Sequence, residues 1–126
     1  MLTALILLLT SGGHGNSAAA SADEVTATVQ AFGQALQQRD FGTMCNLFTG
    51  AARAAEGGSA CASTLAGNAA LLQKPHVRMT SMFVHRGSAV ADITVRQEHQ
   101  PVMTEVLQLV RQGGQFKVSA VTSPGE

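Results

Sequence analysis

Val77–Gln97 reads VRMTSMFVHRGSAVADITVRQ. It contains two runs, Val77–Val84 and Ala89–Gln97, rich in β-branched and apolar residues, and the second alternates. Between them, His85-Arg86-Gly87-Ser88 supplies the glycine that a tight turn uses for positive φ, so the stretch reads as a β-hairpin. A two-residue turn at Arg86-Gly87 pairs Val84 with Ala89, Met82 with Ala91, Thr80 with Ile93 and Arg78 with Val95.

Downstream the same alphabet continues. Val102–Val110 follows the turn Glu98-His99-Gln100-Pro101, and Gln115–Val121 follows Arg111-Gln112-Gly113-Gly114. Short connections between strands mean an antiparallel meander. A loop at His99–Pro101 sets Ile93 opposite Leu107 and Val95 opposite Glu105. A turn at Gln112–Gln115 sets Leu109 opposite Val118 and Leu107 opposite Ala120. One face then collects Met82, Val84, Ala91, Ile93, Val95, Leu107, Leu109, Phe116 and Val118. The other collects Ser81, Asp92, Thr94, Arg96, Thr104, Gln108, Lys117 and Ser119. A one-residue slip would exchange the faces, and this segregation identifies the first as the core face. Two charged residues fall on it, Arg78 and Glu105, both flanking Val95.

Upstream the period is helical. Val25, Val29, Phe32 and Leu36 form one stripe, predicting a helix from about Glu24 to Gln38. Asp40 is suited to cap a second helix carrying Phe41, Met44, Cys45, Phe48 and Ala52, which ends at Glu56-Gly57-Gly58. Ser59 can cap a third, with Cys61, Leu65, Ala69 and Leu72 on one face. Lys74-Pro75 closes it, because the residue before proline avoids the helical region.

Leu2–Leu9 (LTALILLL) is shorter than the roughly 20 residues a membrane span needs. It suits the apolar region of a signal peptide, although no Lys or Arg precedes it. Ala20-Ser21-Ala22 has the small-x-small form of a cleavage site. The organisation expected is a leader over residues 1–22, a domain over 23–122 and a tail over 123–126. The expected location is secreted or extracytoplasmic, on the periplasmic or cell-envelope side, and membrane-tethered if the leader stays uncut. In such a compartment Cys45 and Cys61 fit one disulfide; in a reducing one they would be two free thiols. The bond would close a loop of about 15 residues and stabilise by roughly 3 kcal/mol.

The chain has 126 residues and zero formal net charge. It lacks the basic excess of a nucleic-acid binder. There is no Tyr or Trp. No phosphate loop, dinucleotide fingerprint, nucleophile elbow or C-x-x-C occurs. His76, His85 and His99 have no helical metal-site spacing, so neither metal nor cofactor is expected.

The order of elements resembles the nuclear-transport-factor-2-like superfamily: two helices, a short third, then a meander ending in Gly113-Gly114-Gln115-Phe116-Lys117-Val118. The phrase Asp40-Phe41-Gly42-Thr43-Met44-Cys45 after the first helix, with a second Cys in the next, is similar to small exported bacterial members. Phe116 stands where the final strand usually carries Trp. The resemblance covers Asp23–Val121. It implies an α+β fold, with two to three N-terminal helices packed on a curved four-stranded antiparallel sheet, and a cone with an apolar pocket at its open end. The superfamily holds ketosteroid isomerases and dehydratases, and also non-catalytic binding modules, often dimeric through the sheet. We therefore expect an exported, non-catalytic binding or interaction module with a small apolar ligand, and a homodimer through the sheet face. Arg78, Glu105 and Thr80 are its candidate ligand-binding residues. One alternative is an isomerase- or dehydratase-like enzyme using Glu105 as base, against which the absence of Tyr counts. Another is an extracytoplasmic domain of a membrane-tethered assembly.

Overall fold

The computed structural model describes residues 18–124; the apolar run Leu2–Leu9, His14 and the last two residues lie outside the described residues. Helix α1 spans Ala18–Gln38. It starts upstream of the expected Glu24, since the alanine-rich Ala18–Ala22 has high helix propensity. Its stripe of Val25, Val29, Phe32, Ala35 and Leu36 is buried. The helix stops at Arg39, whose positive φ of 57° turns the chain. Arg39 N–H bonds Leu36 O and Asp40 N–H bonds Ala35 O. The Arg39 guanidinium reaches the carbonyls of Ala69 and Leu72.

The expected second helix is cut in two: α2 is Phe41–Asn46 and α3 is Gly50–Ala55. Asp40 caps α2, accepting from Thr43 N–H at 3.2 Å and Thr43 Oγ1 at 2.7 Å. The hydroxyl bond first, then the backbone bond, hold its carboxyl below the usual carboxylate range. Thr49 caps α3 through Ala52 N–H at 3.0 Å. Between the two helices, Thr49 N–H bonds Val118 O at 2.9 Å and Val118 N–H bonds Leu47 O at 2.7 Å. The break has a physical reason. Val118 lies on an edge strand whose free N–H and C=O need partners, and the link Leu47–Thr49 supplies them while Phe48 stays in the core. A 3-10 turn, Gly58–Ala60, leads to α4, Cys61–Asn68. Cys45 and Cys61 are disulfide-bonded, fastening α2 to α4.

The sheet follows: β1 His76–His85, β2 Ser88–Arg96, β3 Met103–Gln112 and β4 Gln115–Thr122, antiparallel in the order β1-β2-β3-β4. The expected pairs Val84–Ala89, Met82–Ala91 and Leu109–Val118 form. The β3–β4 turn is tighter than expected, with Gly113 and Gly114 both at positive φ between the paired Gln112 and Gln115.

Two β-bulges change the rest. Thr80 is left out of the β1–β2 ladder, so Met79 pairs with Ile93 and Val77 with Val95. Ser119 is left out of the β3–β4 ladder, so Leu107 pairs with Val121 rather than Ala120. An extra residue on one strand reverses the faces beyond it. Each bulged residue puts its hydroxyl on the partner strand's backbone: Thr80 Oγ1 donates to Asp92 O, and Ser119 Oγ to Gln108 O. The β2–β3 register also lies two residues from expectation, pairing Ile93 with Glu105 and Val95 with Met103, which leaves the faces unchanged.

The sheet's inner face packs on α1. Approach is closest at Gly33, where an added Cβ would sit 2.9 Å from Val77 Cβ. The Thr80 bulge is what turns Val77 inward to meet it. Among the described residues no helix is long and apolar enough to cross a membrane.

Candidate functional site

The bulge corrects the expected pairing of Arg78 with Val95, which had placed Arg78 on the core face with Glu105. Arg78 pairs with Thr94 on the outer face and is exposed. Thr80 is exposed too, its hydroxyl committed to Asp92 O. Glu105 does lie on the inner face, opposite Ile93, and is half-buried. The inward-facing cation is Arg111, at the far end of the same strand. Its alternation with Leu107 and Leu109 is readable in the sequence, but the glycine pair that follows makes Arg111 look like part of a turn.

Arg111 is fully engaged. Its guanidinium pairs with Glu24 Oε1 at 2.6 Å, contacts Ser21 Oγ at 3.3 Å and lies 4.5 Å from the Phe116 ring centroid. Beside it, Thr28 Oγ1 donates to Phe116 O at 3.0 Å. This end of the cone is closed and fastened to the first turns of α1. A cleft of about 360 Å³ runs past it along α1 and β4, lined by Glu24, Thr28 and Phe116 among others. Its acid is already paired, so it offers no uncommitted chemistry.

The other end is open. A cavity of about 380 Å³ lies between the sheet and the helices. Phe32 and Leu36 of α1, Phe41 and Met44 of α2, and Phe48 form the helical wall; Ile93, Val95, Met103, Glu105 and Val121 form the sheet wall. That volume is at the lower end of ordinary small-molecule sites, about 300–1,000 Å³. The disulfide holds α2 against α4, whose Leu65 and Asn68 also line the space. At the mouth Met103 and Val121 are 36% and 42% exposed, so apolar surface reaches solvent there.

Among the described residues three polar side chains line the cavity: Glu56, Asn68 and Glu105. Among the described residues the Glu105 carboxyl accepts only long bonds from Ser123 Oγ, at 3.4 and 3.5 Å. Neither Glu56 nor Glu105 has an ion-pair partner among the described residues; the pairs there are Lys74–Glu98 and Arg111–Glu24. Sequence reasoning missed Glu56 and Ser123. Glu56 belongs to a helix-ending phrase, and only the fold of α3 over the sheet carries it to the cavity.

The remaining candidates do not converge. His85 stacks on Phe83 on the outer face, with ring centroids 6.5 Å apart, and His99 lies beyond the other end of β2. Asp92 accepts from Ser81 Oγ at 2.6 Å. Among the described residues no group of three or more His, Cys, Asp or Glu could hold a metal ion.

No family model matches the chain, and no curated protein does. Solved structures do. A nuclear-transport-factor-2-like protein of unknown function from Shewanella baltica superposes with a TM-score of 0.63 at 9% identity, covering 83% of this chain and 93% of that one. Aln2 from a Streptomyces species gives 0.53 at 20% identity, covering 79% and 88%. A SEC-C-motif-containing protein from Rhodopseudomonas palustris gives 0.54 at 12% identity, covering 71% and 70%. At these identities the likeness speaks for the fold alone. The chain has the nuclear-transport-factor-2-like fold: helices followed by a four-stranded antiparallel sheet, in a cone-like α+β arrangement.

Proposed function

We propose that this protein is an exported, non-catalytic binding module that takes a small apolar ligand into the open end of the cone. The observation that carries the reading is the cavity of about 380 Å³, walled by Phe32, Leu36, Phe41, Met44, Phe48, Ile93 and Val95. Burying an apolar ligand against such walls gains about 25 cal/mol per Å² of surface removed from water. Export is supported by the apolar run Leu2–Leu9 and by the Cys45–Cys61 bond, which suits an oxidising compartment. An uncut leader would make the same domain part of a membrane-tethered assembly. A homodimer would use the outer sheet face, where Phe83 and Val90 are exposed.

The test is native mass spectrometry of protein purified without denaturation, paired with titration of an uncharged naphthylamine dye that brightens in apolar surroundings. The expected result is a small-molecule adduct or saturable dye uptake. Absence of both sinks the reading.

One observation favours a second reading. Two carboxylates, Glu56 and Glu105, line one apolar cavity. Such a pair fits proton transfer, with Glu105 as base. Exchange of α-protons for deuterium in a cyclic ketone, lost in Glu105→Gln, would favour it.

A further inference from the structure

Charge around the cavity is one-sided. Among the described residues its lining contains Glu56 and Glu105 and no Lys, Arg or His. The basic side chains of the described residues are bound to other partners or exposed. Arg39 is committed to the carbonyls of Ala69 and Leu72, two residues that line the cavity; Arg53 bonds Asn46 Oδ1, Lys117 bonds Asn46 O, and Lys74 and Arg111 are ion-paired. Arg78, Arg86 and Arg96 are exposed on β1, in the turn after it and on β2. Glu105 therefore stands on an apolar wall with only a hydroxyl at long range to answer it.

Resting on the binding-module reading above, we infer that the ligand is an amphiphilic organic cation: a protonated or quaternary amine carried on an apolar body. The apolar body fills the space between Phe32, Leu36, Met44 and Ile93. The ammonium group lies at the mouth, between Glu105 from the sheet and Glu56 from the end of α3. Phe41 and Phe48 line the same cavity, and aromatic rings attract cations as well as apolar groups. A carboxylate or phosphate amphiphile meets two acids and no base in the described lining, which disfavours it by like-charge repulsion. An inorganic divalent cation is also a poor fit. Calcium takes about 6–8 oxygen ligands, and no third acidic or imidazole group joins these two among the described residues.

The experiment uses the uncharged naphthylamine dye on the intact chain, displaced by three competitors of equal chain length below their micelle concentrations: decyltrimethylammonium, decanol and decanoate. The ammonium compound should displace dye at about tenfold lower concentration than decanol, the equivalent of about 1.4 kcal/mol. Decanoate should be the weakest. In Glu105→Gln and in Glu56→Gln, each checked for fold by circular dichroism, the preference for ammonium over decanol should shrink, and raising salt should shrink it in the parent. Equal displacement by ammonium and alcohol, or tighter binding of decanoate, overturns the cation class and leaves the cavity reading standing. Failure of the dye to bind, with no small-molecule adduct in native mass spectrometry, overturns both.

Discussion

Strand β3 carries one inward-facing charge at each end, and the two are treated in opposite ways. Arg111, at the closed end, has a carboxylate, a hydroxyl and an aromatic ring around it. Glu105, six residues and about 20 Å away, has among the described residues only the Ser123 hydroxyl, beyond 3.3 Å. The same strand on the same core face thus gives partners to one charge and withholds them from the other. A charge whose partners are all within the chain holds the structure together. A charge left facing a cavity is available to something that comes from outside.

The largest expected effect tests how the open end is held. Its helical wall is fastened covalently, so replacing both cysteines (Cys45→Ser with Cys61→Ser) should cost about 3 kcal/mol in urea unfolding. Hydrogen exchange should quicken in α2 and α4 while α1 and β3 stay protected. Uniform loosening would mean that the two ends are not held separately.

Next in size is Arg111→Ala. The ion pair is shared with a Glu24 side chain that is 44% exposed, so solvent screening limits it to under about 1 kcal/mol. The stacking on Phe116 adds about 0.5–1 kcal/mol. A total loss of about 1–2 kcal/mol is expected, with faster exchange confined to the first turns of α1. A loss too small to measure would break the contrast from the closed side.

Smallest is Glu105→Gln, which should move unfolding free energy by less than about 0.5 kcal/mol, because no cation loses its partner. A loss of several kcal/mol would reveal a buried positive charge left uncompensated and would break the contrast from the open side.

Much of this was legible in the sequence, for identifiable reasons. The stripe Val25, Val29, Phe32 and Leu36 and the alternation Ala89–Val95 each follow one period, so helix and strand declared themselves. Glu105 fell on the core face because the β2–β3 error was an even number of residues. Arg78 failed because the error in β1 was odd: Thr80 is a single extra residue, and nothing in MTSM marks which hydroxyl residue will leave the ladder. The break at Leu47–Thr49 was equally hidden, since it answers unpaired groups of Val118, distant in sequence. Glu56 could not be placed on a cavity before α3 had been placed over the sheet.

The two hydroxyl-bearing bulges have a consequence for how this sheet tolerates length changes. Each divides its strand into segments of independent parity, as an inserted base divides a reading frame. Removing Thr80 would turn Val77 and Met79 to solvent and bring the charged Arg78 to the place against Gly33 that Val77 now fills. Insertions or deletions of two residues in β1 keep the phase; a single one inverts it. The hydrogen bonds from Thr80 to Asp92 O and from Ser119 to Gln108 O are what mark where each phase begins.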